Sequence, residues 1–285
     1  GYLPPFADRP ILKNAGSNVQ PVNSGYNEGL FVNLENNPAM KELEVRQAVA
    51  MCIDREAYID DVLFGETEVA TSFWNDTQWQ DPTLEPWPFD PVKANQMLDD
   101  AGWIDSNGNG TRDKDGVELV LNHSTINDDY RIDFQAVAQQ NLADCGIQLE
   151  ISSYPIVDYL ASGAESACYT DSDLCMWAWA SSFPDGDTNR FMCSAIPSDD
   201  NPRGRNLFRL CDPELDALFE KEITQVDPAE RLVTFHEISR YMTENAYWIG
   251  LWSDPDVYAY NPDIPGVLFS AQNPYFNINE WDLKQ

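Results

Sequence analysis

Two spacings of apolar residues alternate along the chain. From Met40 to Ile53 nothing breaks a helical pattern, and Leu43, Val45, Val49 and Cys52 fall in one broad stripe. Asp54 can cap a second helix, which Gly65 stops just past Val62-Leu63-Phe64. Asp followed by Pro opens three more helices, at Asp90, Asp212 and Asp227. The carboxylate accepts open N–H groups, and proline at the first helical position needs no donor. These helices run over about 91–101, 213–225 and 228–245, and a longer one covers about 129–144.

Between them lie strand patterns. Residues 29–34 form a short apolar run, 117–123 alternate loosely, and 147–151 alternate cleanly. Residues 173–180 and 247–252 are nearly all apolar, as strands covered on both faces are. Strands and helices taking turns predict an α/β layer structure, a mixed or parallel sheet flanked by helices. Residues 1–28 and the stretch after Pro255 lack sustained periodicity and read as irregular.

Charge narrows the function classes. The 285 residues carry 48 acidic and 17 basic side chains, a formal net of −31. Nucleic-acid binding is disfavoured, since phosphate neutralisation needs clustered Lys and Arg. No run of eighteen apolar residues is present to form a membrane-spanning helix. Residues 1–5 lack the basic start and apolar core of a signal peptide, so the expectation is a processed chain or a piece of a longer one.

Six cysteines stand at 52, 145, 168, 175, 193 and 211, none in a C-x-x-C pair. Two local bridges are natural, Cys168–Cys175 and Cys193–Cys211, each bracketing a polar loop. In the chain-entropy model the second contributes about 3 kcal/mol. Cys52 and Cys145 read equally well as a third bridge or as two buried thiols. Disulfides imply an oxidising compartment.

Three segments carry candidate chemistry. Asp105, Asn107, Asn109, Thr111 and Asp113, with Gly110 at loop position 6, match the front of a calcium loop. Its twelfth position is Gly116, not the bidentate glutamate, so the alternative is a metal-free turn. The segment after the Trp strand is the second: Trp177, Trp179, Ala180, Ser181, Ser182, Phe183, Asp185 and Asp187 leave a strand's carboxyl end, where ligands of parallel sheets sit. Of the two rings, Trp179 is the better candidate contact, and Trp177 reads more as core. Third, His123 is placed at another strand end, and Asn206 lies in the 193–211 loop, a candidate rim. Arg190 and Arg209 are the cations available for a carboxylate. No nucleophile elbow, zinc helix, P-loop or dinucleotide fingerprint occurs. With nine Trp, a carbohydrate-active enzyme is one alternative, and a calcium- and disulfide-stiffened extracellular module another.

Four segments in order add a family resemblance. Val45-Arg46-Gln47-Ala48 with Ile53-Asp54-Arg55-Glu56 resembles the V-R-Q-A-x-x-x-x-I-D-R-E stretch of extracellular solute-binding protein family 5, the oligopeptide, dipeptide and nickel receptors of ABC importers. Phe89-Asp90-Pro91 through Ala101-Gly102-Trp103 is similar to that family's Y-D-P…A-G-W segment. Leu142 through Leu149 is similar to its helix-to-strand step, and Pro213-Glu214-Leu215-Asp216 to its P-E-x-D helix.

The resemblance implies a type II periplasmic-binding-protein-like lobe: residues 29–255 as the C-terminal ligand-binding lobe, 1–28 belonging to lobe one or the hinge, and 256–285 returning toward lobe one. It implies no catalysis, a peptide or other small polar solute as ligand, and ABC permease subunits as partners. It further implies a monomer, extracellular or periplasmic, membrane-tethered in full length. The family's W-x-x-D stretch holds a peptide's amino group with its Asp. Here that position is Ser182, which cannot neutralise an ammonium, so Asp185 or Asp187 would replace it, or the ligand would lack a free amine.

Overall fold

The computed structural model describes residues 5–22, 24–180, 186–187, 190–270 and 273–282. Its centre is a five-stranded sheet. In chain order the described elements begin with α1 (Asp8–Asn14), β1 (Asn18–Val22), β2 (Tyr26–Val32), α2 (Leu43–Cys52), α3 (Arg55–Asp61) and α4 (Pro91–Asp100). A two-residue hairpin pairs β3 (Asp113–Lys114) with β4 (Val117–Glu118), followed by β5 (Val120–Ile126), α5 (Asp129–Asp144) and β6 (Gln148–Tyr154). Short helices α6 (Ile156–Tyr159) and α7 (Ala167–Thr170) lead into β7 (Leu174–Ala180). The chain continues through α8 (Pro213–Thr224), α9 (Pro228–Glu244), β8 (Trp248–Ser253) and β9 (Asp256–Tyr260).

The sheet order is β6-β5-β7-β2-β8. Strand β5 runs parallel to β6 and β7, whereas β2 runs antiparallel to both β7 and β8. Strict alternation on the central strands sorts side chains to two faces. Leu30, Val32, Leu174, Met176, Ile249 and Leu251 enter one core with α2, α4 and α5. Phe31, Cys175 and Trp248 enter the other with α8 and α9. Gly29 is required where it stands, because a Cβ there would lie 2.2 Å from the Trp248 ring.

The Asp caps form as the sequence predicts. Asp54, Asp90, Asp212 and Asp227 accept from the N–H of Ala57 (3.0 Å), Lys93 (2.9 Å), Glu214 (2.8 Å) and Ala229 (2.8 Å). The residues that carry the family resemblance are anchors of the fold. Arg46 Nε donates to the Asn245 carbonyl at 2.8 Å, Gln47 Nε2 to Glu244 at 2.8 Å, and Arg55 Nη1 to Gly250 at 3.1 Å. All three disulfides are present, Cys52–Cys145, Cys168–Cys175 and Cys193–Cys211. The first resolves the open choice for that pair and ties the end of α2 to the end of α5.

Two expectations need correction. Residues 1–28 and the stretch after Pro255 are not irregular throughout, because α1 forms and β1 pairs antiparallel with β9 from Asn18↔Tyr260 to Val22↔Asp256. A strand whose partner lies more than two hundred residues away leaves little local signal. Beside this ribbon Tyr258, Val267 and Phe269 make a small cluster of their own. His123, in turn, is not at a strand end. Strand β5 continues through Ser124 and Thr125 to Ile126, paired with β6 throughout.

Candidate functional site

The carboxyl ends of β5, β6 and β7, the end of β8 and the start of β2 share one edge of the sheet. Close to this edge, on the face covered by α8 and α9, lies a cavity of about 330 Å³. Trp177 and Trp179 of β7 enter it, both half-buried. Tyr159 closes one side. Its hydroxyl donates to the carbonyls of Ser124 (2.9 Å) and Met176 (3.0 Å), which pins the short α6 helix against the sheet. Phe208 forms part of the wall and stacks on Phe31, with ring centroids 3.9 Å apart.

Three arginines also line the cavity: Arg190, Arg203 and Arg205. The Arg190 guanidinium lies over the Trp179 ring at 3.2 Å from its centroid. It pairs with Asp187 at 3.2 Å. Burial pulls its pKa down to about 10, with Asp187 opposing the shift and Arg205 adding to it. Arg190 therefore stays charged at neutral pH.

The sequence candidates divide as follows. Trp177, Trp179 and Arg190 meet in the cavity, and Trp177 also packs against the core beneath it. Asp187 is buried beside it, with φ +58°. Ala180 ends β7 and pairs with Tyr26. Ser181, Ser182, Phe183 and Asp185 lie outside the described residues. His123 does not join the group. It is 1% exposed, with Nδ1 accepting from Gln135 Nε2 of α5 at 2.8 Å, and burial drops its pKa to about 3, leaving it neutral. Asn206 is wholly buried and staples its loop, donating to the carbonyls of Met192 (3.0 Å) and Leu210 (2.6 Å). Arg209 is held elsewhere, donating to Asn36 Oδ1 at 2.9 Å and facing the Tyr169 ring.

The Asp105 loop turns its oxygens on its own backbone. Asp105 accepts from the N–H of Gly108 (2.7 Å), Asn109 (3.1 Å) and Gly110 (3.0 Å), and Asn109 Oδ1 from Thr111 (2.8 Å). Asn107 Oδ1 accepts from Asn109, and the Asp113 carboxylate takes the N–H and hydroxyl of Ser106. Among the described residues no three acidic, His or Cys side chains gather to hold a metal ion.

At the same edge of the sheet stands a buried ion pair that no local sequence pattern marks. Glu28, on β2, is fully buried and accepts from Arg131 Nη2 (2.6 Å) and Nε (3.1 Å). Arg131 also pairs with Asp128 and lies over the Tyr130 and Trp177 rings at 4.8 and 5.2 Å. Burial raises the Glu28 pKa to about 7, although Arg131 pulls the other way.

A family described as bacterial extracellular solute-binding proteins, family 5 Middle, matches residues 2–196. The chain belongs to that family. Among curated family 5 relatives, the oligopeptide-binding protein AppA of Bacillus subtilis is 28% identical over 255 residues, covering 87% of this chain and 45% of its own length. Di/tripeptide-binding protein 3 of Pseudomonas aeruginosa is 27% identical over 232 residues, covering 79% of this chain and 40% of its own. The chain thus spans less than half the length of these two. Solved structures show the same fold. AppA from Bacillus subtilis with a nonapeptide superposes with a TM-score of 0.83 at 23% identity, over 99% of this chain and 56% of that one. NikZ from Campylobacter jejuni with Ni(L-His) gives 0.80 at 24%, over 99% and 57%. The family and the periplasmic-binding fold expected from the motifs are therefore correct.

Proposed function

We propose that this chain is the ligand-holding lobe of an extracellular or periplasmic receptor, membrane-tethered in full length, that passes a peptide or other small polar solute to an ABC permease. The observation that carries this reading is the cavity of about 330 Å³ where Trp177, Trp179 and Arg190 converge at the end of β7. Its size falls within the range of about 300–1,000 Å³ usual for ligand sites, and flat apolar rings with a few polar groups are the usual lining. The relatives named for peptide binding support the class of ligand.

The receptor works by capture without bond chemistry, as a monomer. The solute settles against this edge, a second lobe closes over it, and closure presents a new surface to the permease. The β1/β9 ribbon with its separate small cluster supports a division in which residues 1–28 and 256–285 serve the hinge or first lobe and 29–255 the binding lobe.

Mass spectrometry of solutes co-purifying with the full-length receptor tests the reading, and a receptor that carries none and binds none refutes it. Trp179→Ala in that receptor should weaken binding of the co-purified solute by about 1–2 kcal/mol, a loss expected of an aromatic contact. Calorimetry showing unchanged affinity would remove Trp179 from the site.

Structural calcium at Asp105, Asn107, Asn109, Thr111 and Asp113 forms no part of this reading, since the side-chain oxygens of Asp105, Asn107, Asn109 and Asp113 are already engaged as turn acceptors. Thermal melts with and without a chelator should coincide. A lower melting temperature in chelator would restore the ion.

A further inference from the structure

Resting on the receptor reading, we infer that the cavity selects a carboxylate-bearing solute, and that Arg203 and Arg205 determine this preference. A chain with 48 acidic and 17 basic side chains places three arginines around one small cavity. Among the described residues no acidic side chain lines it. Asp187 stands behind Arg190 and neutralises one of the three charges. Arg203 and Arg205 are exposed, and neither pairs with a carboxylate among the described residues.

Like charges brought together around one cavity repel, and Arg205 is close enough to Arg190 to lower its pKa. An anion entering the cavity relieves that repulsion. A planar guanidinium matches a carboxylate through two parallel N–H···O bonds, which an amide oxygen alone does not reproduce. The Trp177 and Trp179 rings suit the short apolar stem that carries such a group. The long-range field of a chain this acidic repels anions, so selection of one needs a local cationic site, and the cavity supplies it.

The carboxylate has two sources, a peptide or a free organic acid. Calorimetry on the full-length receptor would use four probes: Ala-Glu-Ala amide, Ala-Gln-Ala amide, Ala-Gln-Ala with a free carboxyl terminus, and glutarate. At least one carboxylate-bearing probe should bind about tenfold tighter than Ala-Gln-Ala amide, the size of a charged hydrogen bond. The tightest probe identifies the source. In R203Q/R205Q that ratio should collapse toward one, with an unchanged melt because both side chains are exposed. Equal affinity for the amide, or a ratio that survives in R203Q/R205Q, overturns the inference and leaves the receptor reading intact. Failure of every probe, with no co-purifying solute, overturns both.

Discussion

Replacing Arg131 with methionine is expected to destabilise the fold by about 3–5 kcal/mol at pH 8, the usual cost of stranding one charge of a buried pair. Arg131 and Glu28 are 4% and 0% exposed, and the guanidinium is the partner that keeps a carboxylate tolerable at that depth. Burial works against the charge on Arg131, and Glu28, Tyr130 and Asp128 together more than reverse it. The sign with pH follows from Glu28. Its folded pKa is raised from 4.5 to about 7, so its favourable contribution is complete below pH 4.5 and is lost as pH rises through 7. Without Arg131 the folded pKa climbs further, so the deficit relative to the parent protein opens as pH rises through about 7, where Glu28 ionises beside Arg131 but stays protonated without it. Urea melts at pH 5 and pH 8 should show a smaller deficit at the lower pH. R131M/E28L should recover much of the loss, because an apolar pair of similar volume leaves no charge behind. A deficit equal at both pH values, or no recovery in the double variant, would mean that packing of Arg131 on Tyr130 and Trp177 dominates instead.

The architecture was legible wherever burial follows a short period. Leu30, Phe31 and Val32 alternate between two cores, and the Asp-Pro starts of α4, α8 and α9 announce themselves. What failed locally was governed by distant partners. β1 shows nothing by itself because Pro21 interrupts it and its partner is β9. The end of β5 was misjudged because Ser124 and Thr125 look like loop residues, yet both are buried; Ser124 pairs with the Ser172 hydroxyl and Thr125 with the Met176 carbonyl.

The candidate site was legible in its two rings and in Arg190. Trp177 and Trp179 were visible as bulky rings at a strand's end, but Arg203 and Arg205 sit in a loop whose fold back onto β7 has no local signature. Glu28 and Arg131 are 103 residues apart, and nothing in either neighbourhood marks them as partners. Conversely, His123 and Asn206 had the chemistry of ligands and are used for structure. A polar side chain that finds partners in the interior leaves the sequence looking the same as one that faces a solute.

Phe31→Ala is expected to cost about 3–5 kcal/mol, and its effect should reach the cavity as well as the core. The ring is 1% exposed and stacks on Phe208, with Phe73, Phe191 and Trp248 at centroid distances of 6.1, 6.3 and 6.4 Å. Phe208 is the wall between that aromatic cluster and the candidate cavity. Removing Phe31 takes away the surface against which this wall rests, so Phe208 can sink into the vacated space and open the pocket behind Arg203 and Arg205. Solute affinity measured well below the melting point should therefore fall along with stability. Phe31→Leu, which keeps most of the volume, should lose less of both. Stability lost with affinity intact would show that Phe208 is positioned by its own loop, held through Asn206, rather than by the sheet beneath it.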